Sequence, residues 1–374
     1  MKILFLLSSM HGGGAERVAA TLANAWAARG DDVVLMPTYS GRGECVYEVA
    51  GNVRMVWLAD LRGASSGPLR SLKRLCALRR FIRRERPDVI VSFLTNVNIA
   101  AVLANFGRRI PLIVCERTHP AAGHNIGKML ARARRWCYPR ASAVAVQTEA
   151  AAQWVRDSLP GVRRLAIMPN PLPDALLRRP LPLHPETRTT EVHTLMAMGR
   201  LTRAKRFDLL IDAFARLAPR YPDWRLRIWG EGPLRPALQE QVERLGLAAR
   251  VELAGRTAQP WDALADGDAF VLSSEVEGFP NALLEAMALG LPCVAFDCPA
   301  GPAEMTRQGE DGLLVPAGDE VALEEALARV MADAALRDEL GLLGARQVRE
   351  RYSLEAVLSR WDALFAELGV VAQP

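Results

Sequence analysis

The feature that most constrains the fold of this chain is a regular alternation of short apolar segments with longer segments of helical periodicity. The first pair is KILFLL at residues 2–7 and a predicted helix over 15–29, and further helices are predicted over 69–84, 99–105 and 126–138. Apolar strands that are each followed by a helix are typical of parallel βαβ units buried on both faces of the sheet. The N-terminal half is therefore predicted to be a doubly wound α/β domain.

A proline-rich segment interrupts this alternation. Residues 170–188 read NPLPDALLRRPLPLHPETR, whose prolines break any periodic pattern, as expected of an interdomain linker. Strand and helix patterns then alternate again, and a chain of 374 residues is long enough for two domains. The predicted divisions are an N-terminal domain over 1–170, a linker over 171–190, a C-terminal domain over 191–352 and a last helical segment over 353–374.

Composition excludes several classes of protein. No apolar run approaches the roughly 18 residues that a membrane span needs, and the opening MKILFLL is too short for a signal peptide. The cysteines form no CxxC pair and no metal-like spacing with the histidines, so reduced thiols of a cytosolic protein are expected. These six residues are Cys45, Cys76, Cys115, Cys137, Cys293 and Cys298.

Positive charge is concentrated in the N-terminal half. The formal net charge is only +5, yet 17 Lys and Arg face three acidic residues between Arg62 and Arg140. An imbalance of this size predicts an anionic partner for that half of the chain.

Two turns that follow predicted strands carry candidate ligand-binding residues. In HGGG, the glycines Gly13 and Gly14 would let a phosphate approach the backbone, although a tight turn without a ligand is equally consistent with the pattern. In GRLTRAKR, Arg200 and Lys205 are two cations five residues apart that can hold a diphosphate. The alternative is a solvated basic turn.

The segment SSEVEGFPNALLEAMALG, residues 273–290, combines a strand end, a turn and a helix entered through Pro280. A helix N-terminus favours anions, yet Glu277 precedes this helix and Glu285 lies inside it. The two carboxylates are consistent with general acid–base work or with simple compensation of the helix dipole.

Four stretches together resemble a known family. HGGGAER, GRLTRAKRFDLLIDAF, the pair GEGP with AGR, and EGFPNALLEAMALGLPCVA are similar to the motifs of the retaining glycosyltransferases of family 4. The resemblance spans the chain and implies the GT-B fold, an α/β architecture of two Rossmann-like doubly wound domains facing across a cleft. It also implies that the C-terminal helices pack back toward the N-terminal domain.

The resemblance implies roles for particular residues. Arg200 and Lys205 would hold the diphosphate of a nucleotide-sugar and, with Glu277 near the transferred sugar, would form the catalytic group. Glu285 would accept hydrogen bonds from the ribose, and Arg256 opens a loop that would contact the base. The expected donor-binding residues are Gly13, Gly14, Arg117, His119, Gly199, Arg200, Lys205, Arg256, Glu277, Gly278, Phe279, Pro280, Asn281, Ala282, Leu283 and Glu285.

One departure from the family pattern concerns the donor sugar. Many relatives carry His directly after the Glu that ends the strand matching IPLIVCE, whereas Arg117 follows Glu116 here and His119 comes two places later. Either side chain could make that contact. The DxD formed by Asp266 and Asp268 is interpreted as a structural turn, so no metal or other cofactor is expected.

The implied reaction is transfer of a hexose or N-acetylhexosamine, with retention, from a nucleotide-sugar, expected to be a UDP-sugar. The implied acceptor is a lipid-linked glycan or a polysaccharide or lipopolysaccharide precursor. A non-hydrolysing nucleotide-sugar epimerase shares the architecture, and a bilobal ligand-binding protein without catalysis is a further alternative. The Glu277–Glu285 signature argues against the first, and the lack of an export signal argues against the second.

Two basic helical segments, over 69–84 and 126–138, are candidates for contact with the acceptor or with a membrane. Their apolar stripes, which include Leu72, Met129 and Trp136, fit a core-facing helix, but the near absence of acids favours attraction to anionic lipid. We expect a peripheral enzyme on the cytoplasmic face of the inner membrane; nucleic acid is disfavoured because aromatic residues do not interleave with the basic ones. The candidate residues are Arg70, Lys73, Arg74, Arg80, Arg83, Arg84, Lys128, Arg132 and Arg135.

Overall fold

The structure is a computed structural model, and the parts of the chain it describes are two compact units. It covers residues 1–41, 45–61, 69–118, 127–181 and 192–370, with the backbone alone at residues 69 and 70. The first unit comprises residues 1–171 and the chain from Glu355 onward, and the second comprises Leu172–Leu354. His119 and the side chain of Arg70 lie outside the described residues.

The strands and helices follow each other in alternation. The strands are β1 (Lys2–Leu7), β2 (Asp32–Pro37), β3 (Arg54–Met55), β4 (Val89–Phe93), β5 (Leu112–Cys115), β6 (Ala143–Val146), β7 (Leu165–Ile167), β8 (His193–Met198), β9 (Trp224–Trp229), β10 (Val251–Gly255), β11 (Ala269–Leu272), β12 (Cys293–Asp297) and β13 (Leu313–Pro316). The helices are α1 (Gly14–Ala28), α2 (Leu58–Leu61), α3 (Leu69–Glu85), α4 (Thr95–Asn105), α5 (Lys128–Cys137), α6 (Glu149–Ser158), α7 (Asp174–Leu177), α8 (Phe207–Leu217), α9 (Arg235–Arg244), α10 (Pro260–Ala265), α11 (Asn281–Ala288), α12 (Pro302–Met305), α13 (Glu320–Ala332), α14 (Ala334–Arg351) and α15 (Leu354–Glu367).

The first unit is built on a seven-stranded sheet in the order β3-β2-β1-β4-β5-β6-β7, in which every neighbouring pair is parallel. Strands such as KILFLL and VIVSF are buried along nearly their whole length because helices cover both faces of the sheet. The chain's last helix belongs to this unit. Trp361 of α15 packs edge-on against Trp26 of α1 with ring centroids 5.5 Å apart, and both side chains are fully buried.

The second unit repeats the plan with a six-stranded parallel sheet in the order β10-β9-β8-β11-β12-β13. The strand order reverses between β8 and β11, which makes their carboxyl ends the topological switch point where ligands of doubly wound sheets bind. The segment Asn281–Ala288 forms a helix as predicted, and Gly290 ends it with a φ of 82°, a conformation that suits glycine. The α/β fold class predicted from the sequence is confirmed.

The sequence-based prediction was incomplete in two respects. Strands β3 and β7 and helices α2, α6, α7, α10 and α12 were not predicted. The interpretation of the apolar stripes as core-facing was also wrong in part. Leu72, Met129 and Trp136 expose 57%, 83% and 47% of their surface instead of facing a core. Among the described residues, no helix is both long enough and apolar enough to span a bilayer.

Candidate functional site

The candidate site of the second unit is assembled from loops that leave the carboxyl ends of β8 and β11. The first loop carries Gly199, Arg200 and a short 3-10 turn at Arg203–Lys205. The second loop runs over 273–280 and leads into α11. Two hydrogen bonds join the loops, from the backbone N–H of Glu275 to the carbonyl of Ala204 (2.9 Å) and from the hydroxyl of Ser273 to the carbonyl of Lys205 (2.8 Å).

The side chain of Lys205 packs across the glycine that follows β8. Its aliphatic chain runs across Gly199, where a Cβ would lie 3.2 Å from the lysine Cε. Gly230 contacts the backbone of Gly199 directly. Its φ is 143°, and a Cβ at Gly230 would overlap the carbonyl oxygen of Gly199. Gly230 is thus needed for the close backbone approach between neighbouring loops, whereas Gly199 leaves room for the Lys205 side chain.

An ion pair links the two loops at the centre of this site. The Lys205 ammonium donates a hydrogen bond to Oε1 of Glu277, and their side chains are 22% and 10% exposed. The sequence placed both residues at the same sheet edge but did not predict that they pair. The contact orients the carboxylate and leaves the lysine, with three donors, able to bind a further anion.

Arg200 and Arg256 supply further positive charge at the ends of β8 and β10. Both residues are exposed. Neither guanidinium makes a hydrogen bond or ion pair with another residue of the described part of the chain. They are therefore free to bind an anionic ligand with the fork geometry of arginine.

Helix α11 begins beside these cations. Its N-cap residue, Pro280, makes no side-chain cap hydrogen bond and is packed so closely on Gly301 that a Cβ on Gly301 would overlap the proline ring. Glu285 lies one turn into the helix and is only 3% exposed. The start of this helix together with Lys205 and Arg200 suits a diphosphate.

A buried thiol lies close to the ion pair. Cys298 follows β12, is 3% exposed, and has its pKa raised to about 12 by burial, with a further contribution from the Glu277 carboxylate. The thiol is therefore protonated at neutral pH and serves as an apolar wall of the site.

The glycine turn of the first unit has a different character. The N–H of Gly13 donates to the Tyr47 hydroxyl (3.2 Å), and the Glu16 carboxylate sits where a Gly13 side chain would be. Ser9 donates to that carboxylate as well (3.0 Å). Gly14 opens α1. The start of α1 thus already carries an acidic side chain, which sequence reasoning overlooked.

The carboxyl ends of β4 to β7 form a second polar cluster in the first unit. Glu116 is buried and accepts hydrogen bonds from Tyr138 and Thr95, with Arg134 3.7 Å away. Burial raises the pKa of Glu116, and the hydrogen bond from Tyr138 opposes that rise. Arg117, the next residue, is also buried and donates to Asn170.

Asp268 of the DxD has a structural role. Its carboxylate accepts a hydrogen bond from the backbone N–H of Thr194 (2.8 Å) and lies 3.4 Å from Nδ1 of His193. Asp266 is the C-cap residue of α10. Across the described residues, no three metal-ligating side chains cluster.

The predicted basic residues of α3 and α5 lie mostly on the surface. Arg74 is half-buried over the ring of Tyr39, and Arg84 forms an ion pair with Glu85 (3.2 Å). Phe106 and Trp136, both about half exposed, stack beside the α5 cations with ring centroids 6.4 Å apart. The exposed residues among the predicted set are Lys73, Arg80, Arg83, Arg84, Lys128, Arg132 and Arg135.

Comparison with protein families gives two matches that together cover most of the chain. Residues 192–333 match the family described as glycosyl transferases group 1. Residues 13–171 match the family described as glycosyl transferase 4-like domain.

Two curated bacterial proteins illustrate the similarity along the sequence. An exopolysaccharide phosphotransferase of Streptomyces coelicolor is 31% identical over 98% of this chain, but the chain spans only 41% of that protein's length. A Campylobacter jejuni enzyme is 27% identical over 98% of this chain and 99% of its own length. Its name is GalNAc-alpha-(1->4)-GalNAc-alpha-(1->3)-diNAcBac-PP-undecaprenol alpha-1,4-N-acetyl-D-galactosaminyltransferase.

A solved structure supports the same fold. Anabaena HepE in complex with UDP superposes with a TM-score of 0.80 over 99% of this chain and 100% of that one, at 20% identity. At that identity the likeness shows the fold alone.

Proposed function

The chain belongs to the glycosyl transferases of group 1 and has the GT-B fold, and on that premise we propose that it is a retaining enzyme that uses a UDP-sugar. The transferred group is a hexose or N-acetylhexosamine, and the acceptor is a lipid-linked glycan or a polysaccharide or lipopolysaccharide precursor. The observation that carries the proposal is the Lys205–Glu277 pair beside Arg200 and the start of α11, at the switch point of the second sheet.

The chemistry follows from the charges at this site. When the bond between the sugar and the diphosphate breaks, negative charge grows on the departing oxygen, and Lys205, Arg200 and the N–H groups of α11 stabilise it. The leaving diphosphate takes the acceptor proton on the same face, so the anomeric configuration is retained. Glu277, held by Lys205, faces the sugar and stabilises positive charge that develops on it.

The nucleotide half of the donor is assigned to the same unit. Glu285, buried in the first turns of α11, accepts hydrogen bonds from the ribose hydroxyls, and the loop that begins at Arg256 contacts the base. UDP is proposed as the nucleotide because the similar fold of HepE was solved with UDP.

The acceptor is assigned from charge and from one relative. The Campylobacter enzyme acts on a sugar chain carried by undecaprenyl diphosphate, as its name states. The cations exposed on α3 and α5 match a surface of anionic lipid, at about 1 kcal/mol for each basic residue near the surface. We infer a peripheral enzyme on the cytoplasmic face of the inner membrane.

The test is an assay with defined donors and a polyprenyl-diphosphate-linked glycan. Each of UDP-glucose, UDP-galactose, UDP-GlcNAc and UDP-GalNAc is incubated with the acceptor, and glycolipid mass, released UDP and the anomeric configuration of the product are measured. Acceptor-dependent release of UDP with an axial linkage is expected. An inverted linkage would contradict the retaining mechanism, and interconversion of UDP-sugars without acceptor would indicate an epimerase.

A further inference from the structure

A buried arginine at the end of β5 has no acidic partner among the described residues. Arg117 is 8% exposed, its guanidinium carbon lies 4.1 Å from the centroid of the Phe93 ring, and its one hydrogen bond within that part of the chain goes to Oδ1 of Asn170. That oxygen already accepts a hydrogen bond from Gln147 (2.8 Å), and Nε of Arg117 has no hydrogen-bond partner within the described ranges. Within this part of the structure, the charge of Arg117 is therefore stabilised by the face of the Phe93 ring and by the amide of Asn170, which Gln147 shares.

The neighbouring carboxylate is committed elsewhere. Glu116 accepts hydrogen bonds from Tyr138 and from Thr95 (2.9 and 3.0 Å) and has Arg134 as its nearby cation. Within the ranges that the structure describes, no carboxylate forms an ion pair with Arg117. Burial lowers the pKa of Arg117 to about 10, so the side chain is still charged at neutral pH.

The position of this charge is one where a ligand would be expected. Phe93 ends β4, Arg117 follows β5, Gln147 follows β6 and Asn170 follows β7, so four adjacent parallel strands contribute to its surroundings. Ligands of doubly wound sheets bind beyond the carboxyl ends of the strands. A buried charge without a counter-ion is costly to the fold, which makes a purely structural role for Arg117 difficult to explain.

We propose that Arg117 binds an oxyanion of a substrate, either the carboxylate of an acidic donor sugar or a phosphate of a lipid-diphosphate acceptor. The planar fork of the guanidinium suits such a group, and the ligand supplies the counter-charge that the chain does not. The inference rests on the proposed glycosyl transfer, and it either adds a hexuronic acid to the proposed donor sugars or requires a phosphate on the acceptor.

Binding measurements with four proteins test the proposal and distinguish the two sources. The proteins are the wild type, Arg117→Gln, Arg117→Lys and, as a charge-matched control on the surface of the same unit, Arg109→Gln. The probes are UDP, UDP-glucose, UDP-glucuronate and farnesyl diphosphate, with Kd measured by calorimetry.

Affinity for UDP is expected to be the same in all four proteins, because its contacts are assigned to the second unit. Arg117→Gln is expected to weaken binding of either UDP-glucuronate or farnesyl diphosphate by about tenfold or more, with partial retention in Arg117→Lys and none of this loss in Arg109→Gln. Loss with UDP-glucuronate identifies the donor as the source, and loss with farnesyl diphosphate identifies the acceptor.

Unchanged affinity of Arg117→Gln for both acidic probes would overturn the proposal. If the wild type fails to bind UDP, the proposed function fails instead, and farnesyl diphosphate alone then decides the role of Arg117. A second variant guards against misfolding: Arg117→Met is expected to melt at the same temperature as the wild type or higher, because it removes an unpaired buried charge. A lower melting temperature with unchanged affinities would assign Arg117 a structural role.

Discussion

Lys205 is the residue on which the proposed chemistry depends most, because it pairs with Glu277 and is proposed to contact the leaving diphosphate. Lys205→Ala is expected to lower kcat by about 10²–10³-fold, the range seen when one preorganised donor to a developing oxyanion is removed. The measurement is steady-state release of UDP at saturating acceptor. The loss is expected in kcat more than in KM because the charge grows in the transition state.

A matched control for this variant lies two residues away. Arg203 belongs to the same 3-10 turn, is exposed, and makes no side-chain hydrogen bond within the described residues. Arg203→Ala should therefore retain nearly full kcat. Equal losses in both variants would mean that the basic turn acts only through its overall charge.

Glu285 carries a separate prediction about nucleotide binding. Glu285→Gln keeps the shape of a buried side chain but replaces one acceptor oxygen with an amide that donates, so the Kd for UDP is expected to rise about 10–100-fold. The wild-type preference for UDP over 2′-deoxy-UDP should shrink in the same variant.

The control for Glu285 is a second buried acid of the same unit. Asp311 pairs with Arg307 through two hydrogen bonds of 2.7 Å, so Asp311→Asn should lower the melting temperature without altering the preference for the ribose hydroxyl. If Glu285→Gln still prefers UDP over 2′-deoxy-UDP as the wild type does, the ribose assignment is wrong.

At this scale the sequence predicted positions better than contacts. Arg200, Lys205 and Glu277 could be placed at one sheet edge because each follows a recognisable strand of a parallel sheet. The pairing of Lys205 with Glu277 depends on how two loops meet, and neither loop's own pattern contains that information. The missing counter-ion of Arg117 is likewise visible only once the neighbouring strands are assembled.

Among the elements, α11 owes its position to the glycines of α14. A Cβ at Gly341 would overlap the carbonyl oxygen of Gly290, directly after α11. Gly341→Ala is therefore expected to destabilise the protein by about 1–3 kcal/mol, as overpacking does, and to weaken UDP binding because α11 must shift. Thermal unfolding and calorimetry measure the two effects.

Leu342→Ala provides the comparison, since Leu342 is the next residue of α14 and is 38% exposed. It should alter neither stability nor UDP affinity appreciably. If Gly341→Ala lowers the melting temperature but leaves the Kd for UDP unchanged, the start of α11 does not contribute to the nucleotide site.

At the scale of the elements, the fully apolar strands were predicted well. A short, continuously apolar segment must be buried on both faces, and a central strand of a parallel sheet provides that burial. Helix α6 was missed although Thr148 caps it, with its side chain accepting from the N–H of Ala151 (3.2 Å). That cap, followed by Glu149, was the available signal. The exposed Met129 and Trp136 of α5 show that an apolar stripe does not by itself define a core face.

For the molecule as a whole, the distribution of charge is the feature that supports the proposed association with a membrane. All three acids between residues 62 and 140 have internal partners: Glu85 binds Lys2 and Arg54, Asp88 accepts a hydrogen bond from the backbone N–H of Lys2 (2.6 Å), and Glu116 is buried with Arg134 3.7 Å away. Apart from Arg84, which pairs with Glu85, the exposed candidate cations of α3 and α5 form no ion pair with an acid among the described residues. The stacked pair Phe106 and Trp136 adds exposed apolar area beside them, as expected of a surface that rests on lipid.

Flotation with phosphatidylglycerol vesicles measures this property on the full chain. The wild type is expected to float at low salt and to be released at high salt, because exposed charges are screened over about 10 Å or less at physiological ionic strength. Arg132→Glu combined with Arg135→Glu should abolish flotation, whereas Arg244→Glu with Arg329→Glu, the same charge change on the exposed surface of the second unit, should not. Failure of the wild type to float at low salt, or equal losses in both double variants, would show that the basic face of α5 does not direct the enzyme to anionic lipid.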